Sequence, residues 1–206
     1  DAKIFKKINS IHDCINLQDD LNNLYDWCNL NGLNLNISKC KILSFNIKKS
    51  HVYFDYKFNN VSIEPVDSFT DLGTTFDSKL CFNQHIDKIT NKAFQNLGFI
   101  TRTCKNFSNI NALRSIYFAF VRSHVEYASL IWSSDNIGVN NKLEAIQNRF
   151  LRSLAFKFKI ERPPHSNYNG VLSYFNIESL NTRRSNLHYS FLLKLLNNSI
   201  DCPYLL

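Results

Sequence analysis

Apolar residues recur three and four positions apart at Leu17, Leu21, Leu24 and Cys28, a spacing that predicts a helix over 12–30 with one face on a core and Asn16 as its cap. Asn31-Gly32 stops it, because glycine takes a left-handed conformation without steric cost and lets the chain reverse. Leu33 to Leu35 leave as an extended segment. Ile42-Leu43-Ser44-Phe45, short, apolar and preceded by Lys39-Cys40-Lys41, reads as a buried strand with a lysine at its mouth. Alternation in VYFDYKF and VSIEPV on either side of Asn59-Asn60 predicts a hairpin, since asparagine tolerates positive φ. Ser68 to Phe76 is a further strand region, in which Gly73 permits a bulge, a bend or a close backbone approach. At the start, Asp1-Ala2-Lys3-Ile4-Phe5 has the pattern of the second half of a strand hairpin.

After Leu80 the period changes from two to about three and a half. Asn83 caps a helix bearing Ile86, Ile89, Ala93, Leu97 and Ile100, and Asn109 opens another with Leu113, Ile116, Phe120 and His124 near one face. Val125 to Trp132 either extends that helix or breaks it at Glu126-Tyr127. Lys142 to Leu154 is helical, with Leu143, Ile146, Phe150 and Leu154 inward. Pro163-Pro164 ends the basic run through Lys157, Lys159 and Arg162, and a smaller helical piece follows with Leu180, Leu187, Phe191 and Leu195. Phe94, Phe120, Phe150 and Phe191 are expected in the core.

The pattern therefore predicts an α+β chain: a small antiparallel sheet with one covering helix over residues 1–80, a helical segment over 81–135 and a helical extension over 136–206. No apolar run approaches the length of a membrane span, so no membrane association is expected. The six cysteines are scattered without zinc-like spacing, which suggests reduced thiols in a cytoplasmic or nuclear setting. The chain holds no methionine and reads as a fragment.

Charge adds what periodicity cannot. Residues 1–87 carry 9 Lys and Arg against 11 Asp and Glu, whereas residues 88–206 carry 15 against 6, within a net charge of +7. A basic helical half suggests a polyanionic partner, most simply nucleic acid.

Several pieces, taken in order, resemble the reverse transcriptase of non-LTR (LINE-type, jockey-like) retrotransposons from the distal palm onward. They are Asp1-Ala2-Lys3-Ile4-Phe5, Trp27-Cys28 with Gly32-Leu33-x-Leu35-Asn36-x-x-Lys39-Cys40, Asp71-Leu72-Gly73 with Phe76-Asp77, and Phe82-x-x-His85-Ile86. Further along come Leu97-Gly98-Phe99-Ile100-x-Arg102, Val121-Arg122-Ser123-x-x-Glu126-Tyr127 with Ile131-Trp132, and Leu143-Glu144-x-Ile146-Gln147-x-Arg149-Phe150.

This resemblance implies a palm-like sheet followed by a thumb. It aligns Asp1 with the second aspartate of the polymerase metal signature, a ligand for Mg2+, with the other catalytic aspartates upstream in the remainder of the polymerase chain. It makes Lys39 a proton donor to pyrophosphate and the hairpin Asp71-Leu72-Gly73 a support for the primer end. Lys88, Lys92, Arg102, Lys105 and Arg114 would meet backbone phosphates of an RNA template and DNA primer, or their hybrid, with Arg149, Arg152 and Lys157 as a second surface. The isolated chain is expected to be inactive and marginally stable, its first strand lacking a partner. Two other readings remain open: a non-catalytic basic helical module that binds nucleic acid, and a helical interaction domain whose basic face is incidental.

Overall fold

The computed structural model describes residues 2–45, 52–134, 136–161, 167–202 and 205, and it divides into two compact units, Asp1–Phe82 and Asn83–Leu206. The first mixes one long helix with short strands and the second is helical, a mixed α+β composition.

Helix α1 (Ile11–Leu30) is capped by Ser10 and not by Asn16, which lies inside the helix. Asp13 N–H donates to Ser10 Oγ while the Asp13 carboxylate accepts from the Asn9 and Ser10 N–H groups, both at 2.9 Å. That reciprocal pair satisfies helix-start donors that Asn16 could not reach. At the other end Gly32 has φ +67°, and Leu33 N–H reaches back to Cys28 O at 2.8 Å. The reversal expected at Asn31-Gly32 is thus closed by a helix-terminal hydrogen bond around a left-handed glycine. Cys14, with Leu17, Leu21 and Tyr25 beside it, packs on Tyr56, Phe58 and Ile63 to form the core of this unit.

Six short strands follow: β1 (Lys41–Leu43), β2 (Lys57–Phe58), β3 (Val61–Ser62), β4 (Glu64–Val66), β5 (Ser68–Asp71) and β6 (Thr74–Asp77). They pair as three two-stranded ladders among the described residues, so the single antiparallel sheet expected from the pattern is not formed. β2–β3 and β5–β6 are antiparallel hairpins, but β1 lies parallel to β4, with Lys41 opposite Glu64 and Leu43 opposite Val66. The stretch from Leu43 to Glu64 exceeds the dozen or so residues that a parallel return requires. Nor is β1 the buried strand expected; its three residues are half-buried.

Asn59 and Asn60 both have positive φ, as the expected hairpin turn requires. Leu72 (φ +45°) and Gly73 (φ +83°) make a second two-residue turn, closed by the pairing of Asp71 with Thr74. Gly73 is therefore a hairpin turn and not a bulge within one strand. Ala2 to Phe5 form no strand, because no described segment pairs with them, and Phe5 is exposed. Asp1 lies outside the described residues, as do Arg162, Pro163 and Pro164.

The second unit is built on α2 (Asn83–Thr103), whose Ile86, Thr90, Ala93, Leu97 and Ile100 are buried. A helical run follows as α3 (Ile110–Tyr117), a π turn (Phe118–Arg122) and α4 (Ser123–Glu126), with Asn109 accepting from Ala112 N–H as its cap. The chain breaks at Tyr127-Ala128, where Ala128 has φ +51°, and resumes as α5 (Ser129–Trp132). Of the two alternatives for this stretch, the break is the one formed. The Trp132 indole N–H pins it by donating to Tyr127 O at 2.7 Å.

Within this run the buried residues are Leu113, Tyr117, Val121 and Val125, each of the last three one position later than expected, and Phe120 is exposed. A π turn holds more residues than an α turn, so a spacing of four keeps to one face there. Phe120 consequently leaves the core it was expected to join. α6 (Ile137–Lys157), capped by Asn136, begins earlier than the expected Lys142, and it buries Leu143, Ile146, Phe150, Leu151 and Leu154. α7 (Asn169–Phe175) and α8 (Leu180–Leu196) complete the unit, α6 packing on both α7 and α8.

Candidate nucleic-acid interface

The burial of α2 fixes what its other face shows. Lys88, Lys92, Gln95, Phe99 and Arg102 fall opposite the buried stripe at helical spacing, and all are exposed. At 1.5 Å per residue, Lys88 and Arg102 stand about 21 Å apart along the axis. Since each phosphate of one strand occupies about 3.4 Å of a duplex axis, this face matches about six phosphates. Its aromatic member, Phe99, is 62 % exposed.

α6 extends the face. Lys142 Nζ pairs with the Asp87 carboxylate, the Arg149 guanidinium lies 5.9 Å from the centre of the Phe94 ring, and Lys157 Nζ donates to Cys104 O and Lys105 O. Each contact joins residues 52 to 55 positions apart, so the two helices run parallel and nearly in register. Arg149, assigned from sequence to a second surface, thus stands beside the α2 face. Asp87, on the flank of that face, is already neutralised by Lys142. The Lys157 ammonium sits where a helix C-terminus favours positive charge.

The other cations have different settings. Arg114 is half-buried and donates from Nη1 to Phe175 O at 3.1 Å, so its guanidinium closes the end of α7 and leaves the α2 face. Arg152 is exposed and its Nε donates to the Tyr168 hydroxyl at 3.2 Å. Lys105 is exposed just beyond α2. Arg122 and Arg183 converge on Glu126, Arg183 through two nitrogens, with Glu178 also contacting Arg183. The hydrogen bonds that Arg183 donates to the Glu126 carboxylate hold its pKa above the usual value, whereas burial lowers that of Arg122. These cations serve the fold.

In the first unit, Lys39 ends a 3-10 turn (Ile37–Lys39) and is exposed. Its neighbour Lys41, not Lys39, pairs with Glu64 across the parallel ladder. Asp71 makes an ion pair with Lys3 at 2.5 Å, and Leu72, at the hairpin tip, is 67 % exposed. At the last position of this hairpin, Asp77 accepts N–H bonds from Lys79 (3.0 Å), Cys81 (3.1 Å) and Phe82 (2.8 Å). Burial pushes its pKa up, but these donors outweigh burial and hold the carboxyl below its ordinary value.

Among the described residues no group of three or more His, Cys, Asp or Glu could hold a metal ion, and Asp1 is outside them. Nor does any described helix have the length and apolarity to cross a membrane. Sequence reasoning missed the adjacency of α2 and α6 and the exposure of Phe99 and Phe156; alternation of cations with an outward aromatic on each helix was the available signal. No family model, curated protein or solved structure matches the chain.

Proposed function

We propose that this chain grips the sugar-phosphate backbone of a nucleic-acid duplex without reading sequence, as the distal palm, thumb and C-terminal extension of an RNA-directed DNA polymerase of the non-LTR retrotransposon type. The observation that carries the grip is the basic face of α2 continued by Arg149 of α6, in which the flanking acid is already neutralised. Lysine and arginine on a rigid helix release counterions from phosphates, and this gives affinity that depends on salt and not on bases. Membership of a polymerase is supported by the ordered residue resemblance from Gly32-Leu33 through Arg149-Phe150. In that reading Lys39 acts at the leaving pyrophosphate and Asp71-Leu72-Gly73 supports the primer end, while the metal chemistry lies with residues upstream. A binding module without chemistry uses the same face.

The test is fluorescence anisotropy with an RNA–DNA hybrid of mixed sequence. Four phosphate contacts, by Lys88, Lys92, Arg102 and Arg149, give a log–log salt slope of roughly −3 to −4 and about a hundredfold loss of affinity between about 50 and 200 mM salt. Lys92→Ala should flatten the slope by about 1 and weaken all sequences alike. Arg114→Ala should leave the slope unchanged. Binding that ignores salt, or equal slopes for Lys92→Ala and the parent chain, refutes the proposal.

A further inference from the structure

We infer that the polar pocket between the end of α5 and the inner faces of α6 and α8 is a binding site for a phosphate monoester. Ser133 and Ser134 border it on one side with Asn140, and Asn181, Arg184, Ser185 and His188 border it from α8. Those four fall at i, i+3, i+4 and i+7, hence on one helix face. The pocket's volume is about 40 Å³. A water needs some 10–15 Å³ on this measure, so there is room for about three oxygen atoms.

Arg184 is the anchor. It is 4 % exposed, its Nη2 donates to Asn140 Oδ1 at 3.0 Å, and its buried Nη1 has no hydrogen-bond partner among the described residues. A buried guanidinium N–H without an acceptor is costly, and guanidinium stays charged in proteins, so the arrangement calls for an oxygen acceptor that carries negative charge. Glu144, whose own pKa burial raises, acts on Arg184 from outside the pocket and spends one oxygen on Asn181 N–H at 2.6 Å.

No carboxylate among the described residues lines the pocket; the lining offers three hydroxyls, two amides and an imidazole, with Ser133 Oγ and His188 Nε2 paired at 2.8 Å. The first N–H groups of α8 are already taken by Glu144 and by Ser179, so side chains carry the site. Donors approaching from three elements suit a tetrahedral anion with three terminal oxygens better than a planar carboxylate. A terminal phosphate group is of the size this volume admits. The site shares no residue with the α2 face and does not depend on the reading of that face.

The experiment titrates inorganic phosphate into the full 15N-labelled chain at constant ionic strength. Saturable shifts are expected at the amides of Ser134, Asn181, Ser185 and His188. Ser185→Asp, an exposed position that places a carboxylate at the rim, should weaken phosphate by about tenfold or more while the spectrum of the α2 core is unchanged. Arg184→Lys should do the same, and Ser185→Asp decides the matter if that variant does not fold. A second arm compares trinucleotides with a 5′-phosphate and a 5′-hydroxyl. Displacement of phosphate by the phosphorylated one alone identifies a nucleic-acid terminus as the source; displacement by glycerol phosphate but neither trinucleotide identifies a small ester. Absence of saturable shifts into tens of millimolar phosphate, or equal affinity in Ser185→Asp, overturns the inference.

Discussion

Replacing Asp77 by alanine removes the acceptor for three backbone N–H groups at once. Those donors belong to Lys79, Cys81 and Phe82, in a turn where Leu80 (φ +53°) and Phe82 (φ +56°) both hold left-handed conformations. Non-glycine residues resist that region, so the turn persists only while something over-determines it. A hydrogen bond to a charged group is worth about 1.5–3 kcal/mol. Two of the three share Oδ1, and neighbouring bonds do not add, so the net loss is about 2–4 kcal/mol. Amide hydrogen exchange at Lys79, Cys81 and Phe82 reads this directly: protection should fall about thirtyfold to a thousandfold in Asp77→Ala, and less in Asp77→Asn, which keeps one acceptor oxygen. The folded-state pKa of Asp77 is depressed, so its contribution is fully present above the ordinary aspartate value of about 3.9 and disappears as pH falls through the lower folded value. Protection at these amides should therefore collapse in that acid window in the parent chain and show no such step in Asp77→Asn. Exchange rates within a factor of two across all three proteins at pH 7 would show that the carboxylate does not hold the turn.

Two further substitutions test the packing of each unit. Tyr117→Phe keeps the ring stacked 4.0 Å from Phe150 but removes the hydroxyl that donates to Gln147 Oε1 at 3.1 Å, both side chains being fully buried. An orphaned amide oxygen should cost about 1–3 kcal/mol, seen as a lower denaturant midpoint at unchanged slope. Ser10→Ala opens the cap of α1 and should cost about 1 kcal/mol, with faster amide exchange confined to the first turn of that helix.

Local signals located α1, α2, the α3 start at Asn109 and the Asn59-Asn60 hairpin turn: an apolar stripe, a capping side chain, or a residue pair that tolerates positive φ. What they missed depended on distance or on a local departure from the regular period. The parallel pairing of β1 with β4 is set by a return of some twenty residues that no short window contains. The exposure of Phe120 goes with a one-residue offset of the buried face that is already present at Tyr117 in α3 and that the π turn carries on at a spacing of four. Arg114 and Lys92 are indistinguishable in sequence, both basic residues on helices. The first turns inward because Phe175 O is there to accept, and the second faces water because the α2 stripe opposite it is apolar. The capping pair Ser10 and Asp13 is local too, but the apolar stripe begins only at Leu17 and so points to Asn16.

The basic face and the core of the helical unit are one arrangement seen from two sides. α2 buries its stripe against α6 and the π turn, and this orients Lys88, Lys92 and Arg102 outward together. The same packing brings Lys142 to Asp87 and Arg149 to the edge of Phe94, so the seam between the helices removes an acid from the face and adds a cation beside it. Exposed ion pairs contribute little stability, typically under about 1 kcal/mol, so holding the helices together does not account for Lys142 opposite Asp87. Its larger effect is electrostatic: in the proposed grip a phosphate approaching α2 would meet cations over about 21 Å with the flanking carboxylate screened. Two helices held parallel by apolar burial thus present a rigid row of charges, and the proposed sequence-independent grip would draw on that rigidity, since each cation would then meet a phosphate without first losing the freedom of a mobile loop.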